Sequence, residues 1–308
     1  MILQIAPLPE FLLQPLREKH EVVDHFHATD REQLLRDVGS RVRGIVMTGG
    51  SVTPPTFLDQ LPALEIISVN GVGYDGVPID YCRARGIRVT NTPDVLTDDV
   101  ADIAVALVLM TSRRLVQANR WLHAGEWDKG ATTLTGKVSG KRAGIVGLGR
   151  IGKAIAQRLT ACGMQIGYHG RSAHDVPYAF HAELLSLAEW SDFLIVACPG
   201  GDKTKHLINI DVLRALGAKG TLINIARGSI VDETALIEAL REGVIACAGL
   251  DVFEHEPKVP AELLAMEQVT LLPHIGSATR ETRGEMSQLV LDNLDAHFNG
   301  RPLLTAVV

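Results

Sequence analysis

Three polar side chains in the C-terminal half stand where a reaction could be run. Arg227 closes GTLINIAR and is followed by Gly228-Ser229. Glu256 closes LDVFEHE and is followed by Pro257. His274 follows VTLLP and is followed by Ile275-Gly276-Ser277. Each comes straight after an apolar run of strand type, and in open parallel sheets ligands bind outside the carboxyl ends of the strands. Taken singly, a strand-end Arg or Glu is an ordinary solvated group and a lone His an ordinary packing residue. A cation, an acid and an imidazole on one rim form a constellation with a mechanism. Arg227 would clamp a substrate carboxylate and polarise the neighbouring carbonyl. His274 would give the carbonyl oxygen a proton as a hydride arrives at carbon. Glu256 would hold the imidazole and favour its protonated form.

Such chemistry needs a hydride source, and the chain carries a place for one. An apolar run at 143–146 leads into Gly147-Leu148-Gly149-Arg150-Ile151-Gly152, a G-x-G-x-x-G. Ile151, Ile155, Leu159 and Cys162 then recur at helical spacing, Gly163 stands where a helix C-cap glycine would, and a second strand follows at 165–168. In this setting Gly147 permits the tight turn, Gly149 lets the backbone approach a pyrophosphate, and Gly152 lets helix and strand pack closely. The pyrophosphate would sit at a helix N-terminus, where free N–H groups and the macrodipole favour an anion. A site selecting NAD carries an acid about 20 residues on. Here the sequence reads His169-Gly170-Arg171-Ser172, with no acid until Asp175. Guanidinium and hydroxyl suit a 2′-phosphate, so NADPH is the expected cofactor, with NAD as the alternative.

The elements that position these residues alternate. Strand-like runs at 2–6, 22–23, 44–47, 65–69 and 87–90 are separated by helical patterns, which implies a small parallel sheet covered on both faces. Two glycine-bearing loops there, at 48–50 and 70–75, are candidate substrate contacts. A boundary is expected at Thr92-Pro93-Asp94. A helix over 98–114, with Thr97 as N-cap, is apolar nearly all round and must be covered on more than one side. Residues 120–137, with Trp121 and Trp127, are expected to be irregular and to suit a dimer interface. Further near-continuous apolar runs at 192–199, 220–227, 245–252 and 269–273 read as strands buried on both faces. Helices are expected at 233–242 and 280–298.

At 308 residues, two domains are expected, each able to bury its own core. A net charge of −6 with no Lys/Arg run argues against a nucleic-acid partner. Cys82, Cys162, Cys198 and Cys247 lie far apart in sequence, neither a disulfide framework nor a zinc pattern, so a reducing cytoplasm is expected. The first residues lack the pattern of a secretory signal, and the longest apolar stretch, 100–110, is too short to span a bilayer.

RAGIVGLGRIGKAIAQRL, LINIARGSIVDETALIEAL, AGLDVFEHEP and LLPHIGSAT, with SVNGVGYDGVPID and RVTNTPDVLTDDVAD in the first half, resemble segments of the D-2-hydroxyacid dehydrogenase family, in its glyoxylate/hydroxypyruvate reductase branch. The resemblance covers nearly the whole chain. It implies two doubly wound α/β domains: a Rossmann dinucleotide-binding domain over 95–280 and a smaller, flavodoxin-like substrate domain from 1–94 and 281–308. It implies that Arg227, Glu256 and His274 are the catalytic residues, and that substrate contacts come from Gly49, the amides of Val72 and Gly73, Arg227 and His274. Cofactor contacts are implied for Gly147, Leu148, Gly149, Arg150, Ile151, Gly152, Gly170, Arg171, Ser172, Pro199, Thr204, Ile225, Ala226, Asp251, Gly276 and Ser277. It further implies a homodimer and a small 2-oxo acid as substrate; no membrane partner and no metal are expected. His255-Glu256 lacks the second ligand or cysteine cluster that a zinc dehydrogenase would need. Two alternatives stay open: a dinucleotide-sensing, corepressor-like module on the same scaffold, and another dehydrogenase of the family acting on phosphoglycerate or formate.

Overall fold

The computed structural model describes residues 1–308 and divides them into two compact units, Met1–Leu96 with Ala278–Val308, and Thr97–Ser277. The first holds strands β1 (Ile2–Gln4), β2 (Val22–Asp24), β3 (Gly44–Thr48), β4 (Ile66–Asn70) and β5 (Arg88–Thr90). They form one parallel sheet in the order β2-β1-β3-β4-β5, the doubly wound order of flavodoxin-like folds. Between them run α1 (Glu10–Lys19), α2 (Arg31–Val38), α3 (Pro55–Leu58) and α4 (Ile79–Arg85). Two apolar clusters flank this sheet, one around Leu3, Ile45, Met47 and Ile67, the other around Ile2, Leu12, Val46, Val290 and Leu294.

The second unit opens with α5 (Thr97–Arg113), so Thr97 lies inside the helix and not at its cap. Arg114 takes a left-handed backbone at φ 48°, and a new helix, α6 (Leu115–His123), starts there. The expectation of an irregular stretch from 120 is therefore corrected at 120–123. Leu115, Ala118, Trp121 and Leu122 have helical spacing, and the break at Arg114 lets that short pattern run as its own helix. Beyond come β6 (Arg142–Val146), α7 (Arg150–Ala161), β7 (Gln165–His169), β8 (Ala179–Phe180), α8 (Leu184–Trp190) and β9 (Phe193–Val196). Then follow α9 (Ile210–Leu216), β10 (Thr221–Asn224), α10 (Glu233–Arg241), β11 (Cys247–Leu250), α11 (Ala261–Ala265) and β12 (Val269–Leu271). All seven strands are parallel, in the order β12-β11-β10-β9-β6-β7-β8. That is a dinucleotide-binding order whose direction reverses between β6 and β9. The strands β9 and β10 are fully buried, as near-continuous apolar runs require. No helix is long and apolar enough to cross a membrane.

The first unit is completed by the chain's last helix, α12 (Arg280–Phe298), whose Met286, Val290 and Leu294 are buried. A polar knot at its end involves Asn293, which has no exposed surface. Its Nδ2 donates to the Leu289 carbonyl at 2.8 Å and to Thr305 Oγ1 at 2.9 Å. Its Oδ1 accepts from the N–H groups of Leu304 and Thr305, and Thr305 Oγ1 donates to the Asn91 carbonyl at 2.6 Å. Ala306 then bridges Thr90 in antiparallel fashion, so the final residues extend the sheet edge at β5.

Candidate active site

Within the seven-stranded unit, the carboxyl ends of the strands lead into all the expected cofactor residues, Arg150, Ile151 and Gly152 standing in the first turn of α7, and into the loops that carry Arg227, Glu256 and His274. After β6, Gly147 has φ 98°, and a Cβ there would lie 2.7 Å from the Cα of Cys198. A Cβ on Gly152 would lie 2.1 Å from the Gly147 carbonyl oxygen. Both glycines are demanded by the protein itself. Gly149 is different: a Cβ there would meet nothing within 4 Å. It caps α7 without a side chain of its own, which keeps the approach to the helix N-terminus clear at that position. Leu148 is buried beneath the turn. An open cradle ending in a helix N-terminus fits a pyrophosphate.

After β7, Gly170 is half-buried, while Arg171 and Ser172 are exposed, and no Cβ contact constrains Gly170. The base of this loop is pinned from within. Buried Tyr168 accepts from the His174 N–H at 2.7 Å through its Oη and donates to the His174 carbonyl at 3.4 Å. After β9, Pro199 begins a turn that Thr204 closes, its Oγ1 donating to the Pro199 carbonyl at 2.8 Å and to that of Gly201 at 3.1 Å.

After β10 the chain bends over Asn224, a residue the sequence reading did not single out. Its buried side chain accepts from the Ala226 N–H at 3.1 Å and donates to the Arg227 carbonyl at 2.9 Å. An Asn that bonds the backbone two residues on is an Asx-turn, so Asn-x-Ala-Arg at a strand end was a legible signal. Ile225 is buried, and Arg227 is part-exposed with its Nη1 donating to the Ala226 carbonyl at 2.8 Å. Gly228 wedges this bend onto the next loop, where its Cβ would lie 1.9 Å from the Phe253 carbonyl carbon.

After β11 and β12 the imidazole and carboxylate meet. His274 Nδ1 lies 2.7 Å from Glu256 Oε2, and Glu256 Oε1 accepts from the Phe253 N–H at 3.1 Å. A carboxylate only accepts, so Nδ1 carries the proton and Nε2 is the nitrogen left to give or take one. Burial pushes the Glu256 carboxyl up. The His274 hydrogen bond and charge, the Phe253 N–H and the nearby Arg227 guanidinium outweigh it, and the carboxyl is held below its ordinary value. His274 has a left-handed backbone at φ 52°, which non-glycine residues adopt at a cost and which concentrates at functional sites. Asp251 locks this turn. With 1% of its surface exposed, it accepts the N–H of Ile275 at 2.8 Å and that of Gly276 at 2.8 Å. Burial holds its carboxyl above the ordinary value against the pull of those two donors. Asp251 was expected among the cofactor contacts; in the structure its observed work is to anchor the loop that carries His274. Ser277, half-buried, ends the same turn.

Gly49, Val72 and Gly73 belong to the other unit, where a Cβ on Gly71 would lie 3.2 Å from the Gly49 nitrogen, so the two glycine loops meet. The Val72 carbonyl accepts from Asn91 Nδ2 at 2.9 Å and the Gly71 carbonyl from the Thr92 N–H at 2.9 Å. Asn70, at the root of this loop, is buried with neither side-chain oxygen nor nitrogen bonded.

Residues 105–276 match the profile of the NAD-binding domain of D-isomer specific 2-hydroxyacid dehydrogenases. The chain belongs to that family. It is therefore an NAD(P)-dependent oxidoreductase of the 2-hydroxyacid dehydrogenase class. It is 46% identical over 308 residues to a glyoxylate/hydroxypyruvate reductase of Arabidopsis thaliana, covering 100% of this chain and 98% of the relative. It is 46% identical to a hydroxyphenylpyruvate reductase of Plectranthus scutellarioides at the same coverage. In three dimensions it resembles an NADPH-dependent glyoxylate/hydroxypyruvate reductase from Sinorhizobium meliloti, solved in complex with NADP and malonate. The TM-score is 0.92 and the identity 46%, over 100% of this chain and 96% of that one.

Proposed function

We propose that this chain reduces small 2-oxo acids, glyoxylate and hydroxypyruvate foremost, to 2-hydroxy acids, with NADPH preferred over NADH. The observation that carries the reading is the His274 Nδ1–Glu256 bond at 2.7 Å, which leaves Nε2 as a directed proton donor among the strand-end loops that also carry Arg227. The bound cofactor supplies the hydride. The α7 N-terminus over Gly149 would hold its pyrophosphate, and Arg171 and Ser172 the 2′-phosphate. Arg227 grips the substrate carboxylate and polarises the carbonyl, while His274 protonates the oxygen from Nε2 and Glu256 stabilises the imidazolium before transfer. The NADP-bound relative from Sinorhizobium meliloti and the lack of an acid after β7 both support the NADPH preference. Initial rates on glyoxylate, hydroxypyruvate, hydroxyphenylpyruvate, phosphohydroxypyruvate and pyruvate, each with NADPH and NADH, test the reading. Dinucleotide binding without turnover on any of them would replace it with a sensing role.

The same reading makes the protein a cytoplasmic homodimer. Support comes from α5, where Ile103, Val105, Leu109 and Met110 remain part-exposed, and from α6, which buries no residue. Beyond it Trp127 is 68% exposed and Leu134 96%. Apolar surface of this kind marks an obligate interface. Sedimentation should find a dimer at micromolar concentration; an active monomer there would refute it.

A further inference from the structure

A second acid–imidazole pair draws on the same loop as Glu256. His206 Nε2 is 2.8 Å from Glu254 Oε1. Glu254 stands two residues before Glu256, and, like His274, His206 has a left-handed backbone, at φ 50°. The backbone of His206 bonds elsewhere: its N–H donates to the Ser229 carbonyl at 2.8 Å, two residues past Arg227. The stitch continues as Ile208 bridges Val231 in parallel, with the Ile208 N–H on the Ile230 carbonyl at 3.0 Å and the Asp232 N–H on the Ile208 carbonyl at 3.0 Å. His206 thus holds the Arg227 loop through its main chain and the Glu256 loop through its ring. Glu254 is fixed from below as well, its N–H donating to Glu233 Oε1 at 3.3 Å. Gly228 presses on the same spot, where its Cβ would lie 2.3 Å from the Glu254 nitrogen. Glycine would take the backbone of residue 206 without strain. What histidine adds at that position is the ring and its bond to Glu254.

We propose that His206 and Glu254 form a positioning pair for the reaction, tying the Arg227 loop to the Glu256 loop so that the carboxylate clamp and the proton donor are set relative to each other before substrate arrives. The inference rests on the roles given above to Arg227, Glu256 and His274. Neither His206 nor Glu254 touches the reacting atoms in this account; they act through the loops they join, and small misplacements of reacting groups carry large rate penalties.

The test is a double-mutant cycle on the full-length protein, assayed with glyoxylate and NADPH. His206→Gly, which suits the local backbone, and Glu254→Ala should each lower kcat about tenfold, while KM for glyoxylate rises less than about threefold and NADPH affinity stays within about twofold. The double variant should be no worse than either single, because the pair acts as a unit. Glu254→Gln keeps an oxygen that accepts from the ring and should recover most of the rate. Should Glu254→Ala fail to fold, His206→Gly and Glu254→Gln decide. Unchanged kcat in the single variants, losses that multiply in the double, or NADPH affinity falling in step with kcat would each overturn the proposal. His274→Asn serves as the separate control. If it retained turnover, the catalytic reading itself would fail; if it is inactive while both single variants keep full kcat, only the positioning role is wrong.

Discussion

The two sides of the dinucleotide sheet use their strand-end loops in opposite ways. On the β6–β7 side the backbone is shaped and the side chains are few. Gly147 and Gly152 are packed until no Cβ fits, Gly149 faces open space, and Arg171 and Ser172 stand exposed on a base pinned by Tyr168. On the β10–β12 side the side chains bind one another and the backbone: Asn224 bends the chain at Arg227, Glu256 holds His274, and Asp251 anchors the turn after it. The first arrangement suits a ligand gripped through main-chain N–H groups, with its identity read by exposed side chains. The second suits groups whose proton affinity and direction must be set before a reaction. Affinity, selectivity and chemistry should therefore separate by loop, and variants can test that separation.

The largest effect should come from His274→Asn. Loss of a positioned acid lowers kcat by about 10²–10⁴-fold at every pH, while NADPH affinity by fluorescence titration stays within about twofold. A comparable loss of affinity would break the distinction between the two sides. Next comes Arg171→Ala, which on the proposed reading loses a charge-assisted phosphate contact and should weaken NADPH about 30- to 150-fold, leaving NADH nearly unchanged. Equal weakening of both would make Arg171 a general contact and remove the selectivity side of the comparison. Gly149→Ala should be milder, about tenfold weaker for both dinucleotides with an unchanged melting temperature, since its Cβ meets no protein atom within 4 Å. Gly147→Ala, by contrast, should also destabilise the fold by about 1–3 kcal/mol, because its φ is 98°. Calorimetry on the pair separates a glycine kept for the ligand from one kept for the fold.

The smallest effect is a shift and not a loss. Glu256→Gln removes a carboxylate whose titration is linked to folding. The Glu256 carboxyl is held below its ordinary value of 4.5, so its stabilising contribution is complete above that pH and is lost as pH falls through the lower folded value. The stability margin of the wild type over Glu256→Gln should accordingly shrink below about pH 4.5, as thermal melts would record.

Much of this was legible in the chain because it is local. The buried strands of both sheets announce themselves as apolar runs, and the glycine turn sits between a strand and a helix where only backbone geometry matters. Arg227, Glu256 and His274 are readable because each follows such a strand directly. What was not legible depends on partners distant in sequence. The two-residue β8 carries no pattern and exists only through its pairing with β7. The work of Asp251 is invisible until residues 24 and 25 positions onward fold back to it. The link from His206 to Glu254 spans 48 positions. The start of α6 turned on the left-handed backbone of a single Arg, which no propensity foretells.

The knot at Asn293, Thr305 and Asn91 has a consequence for how the molecule is made. The seven-stranded unit is one continuous stretch, Thr97–Ser277, whereas the other needs Ala278–Val308 to join Met1–Leu96. On a ribosome, the later-encoded domain has all its residues while the earlier one still waits for its last helix and the edge bridge at Ala306. The nascent amino-terminal segment carries its Ile2, Leu12 and Val46 face uncovered until Val290 and Leu294 emerge. Birth order and completion order are reversed. A nonsense codon that removed only the last few residues would spare the dinucleotide fold and strike the domain that was translated first.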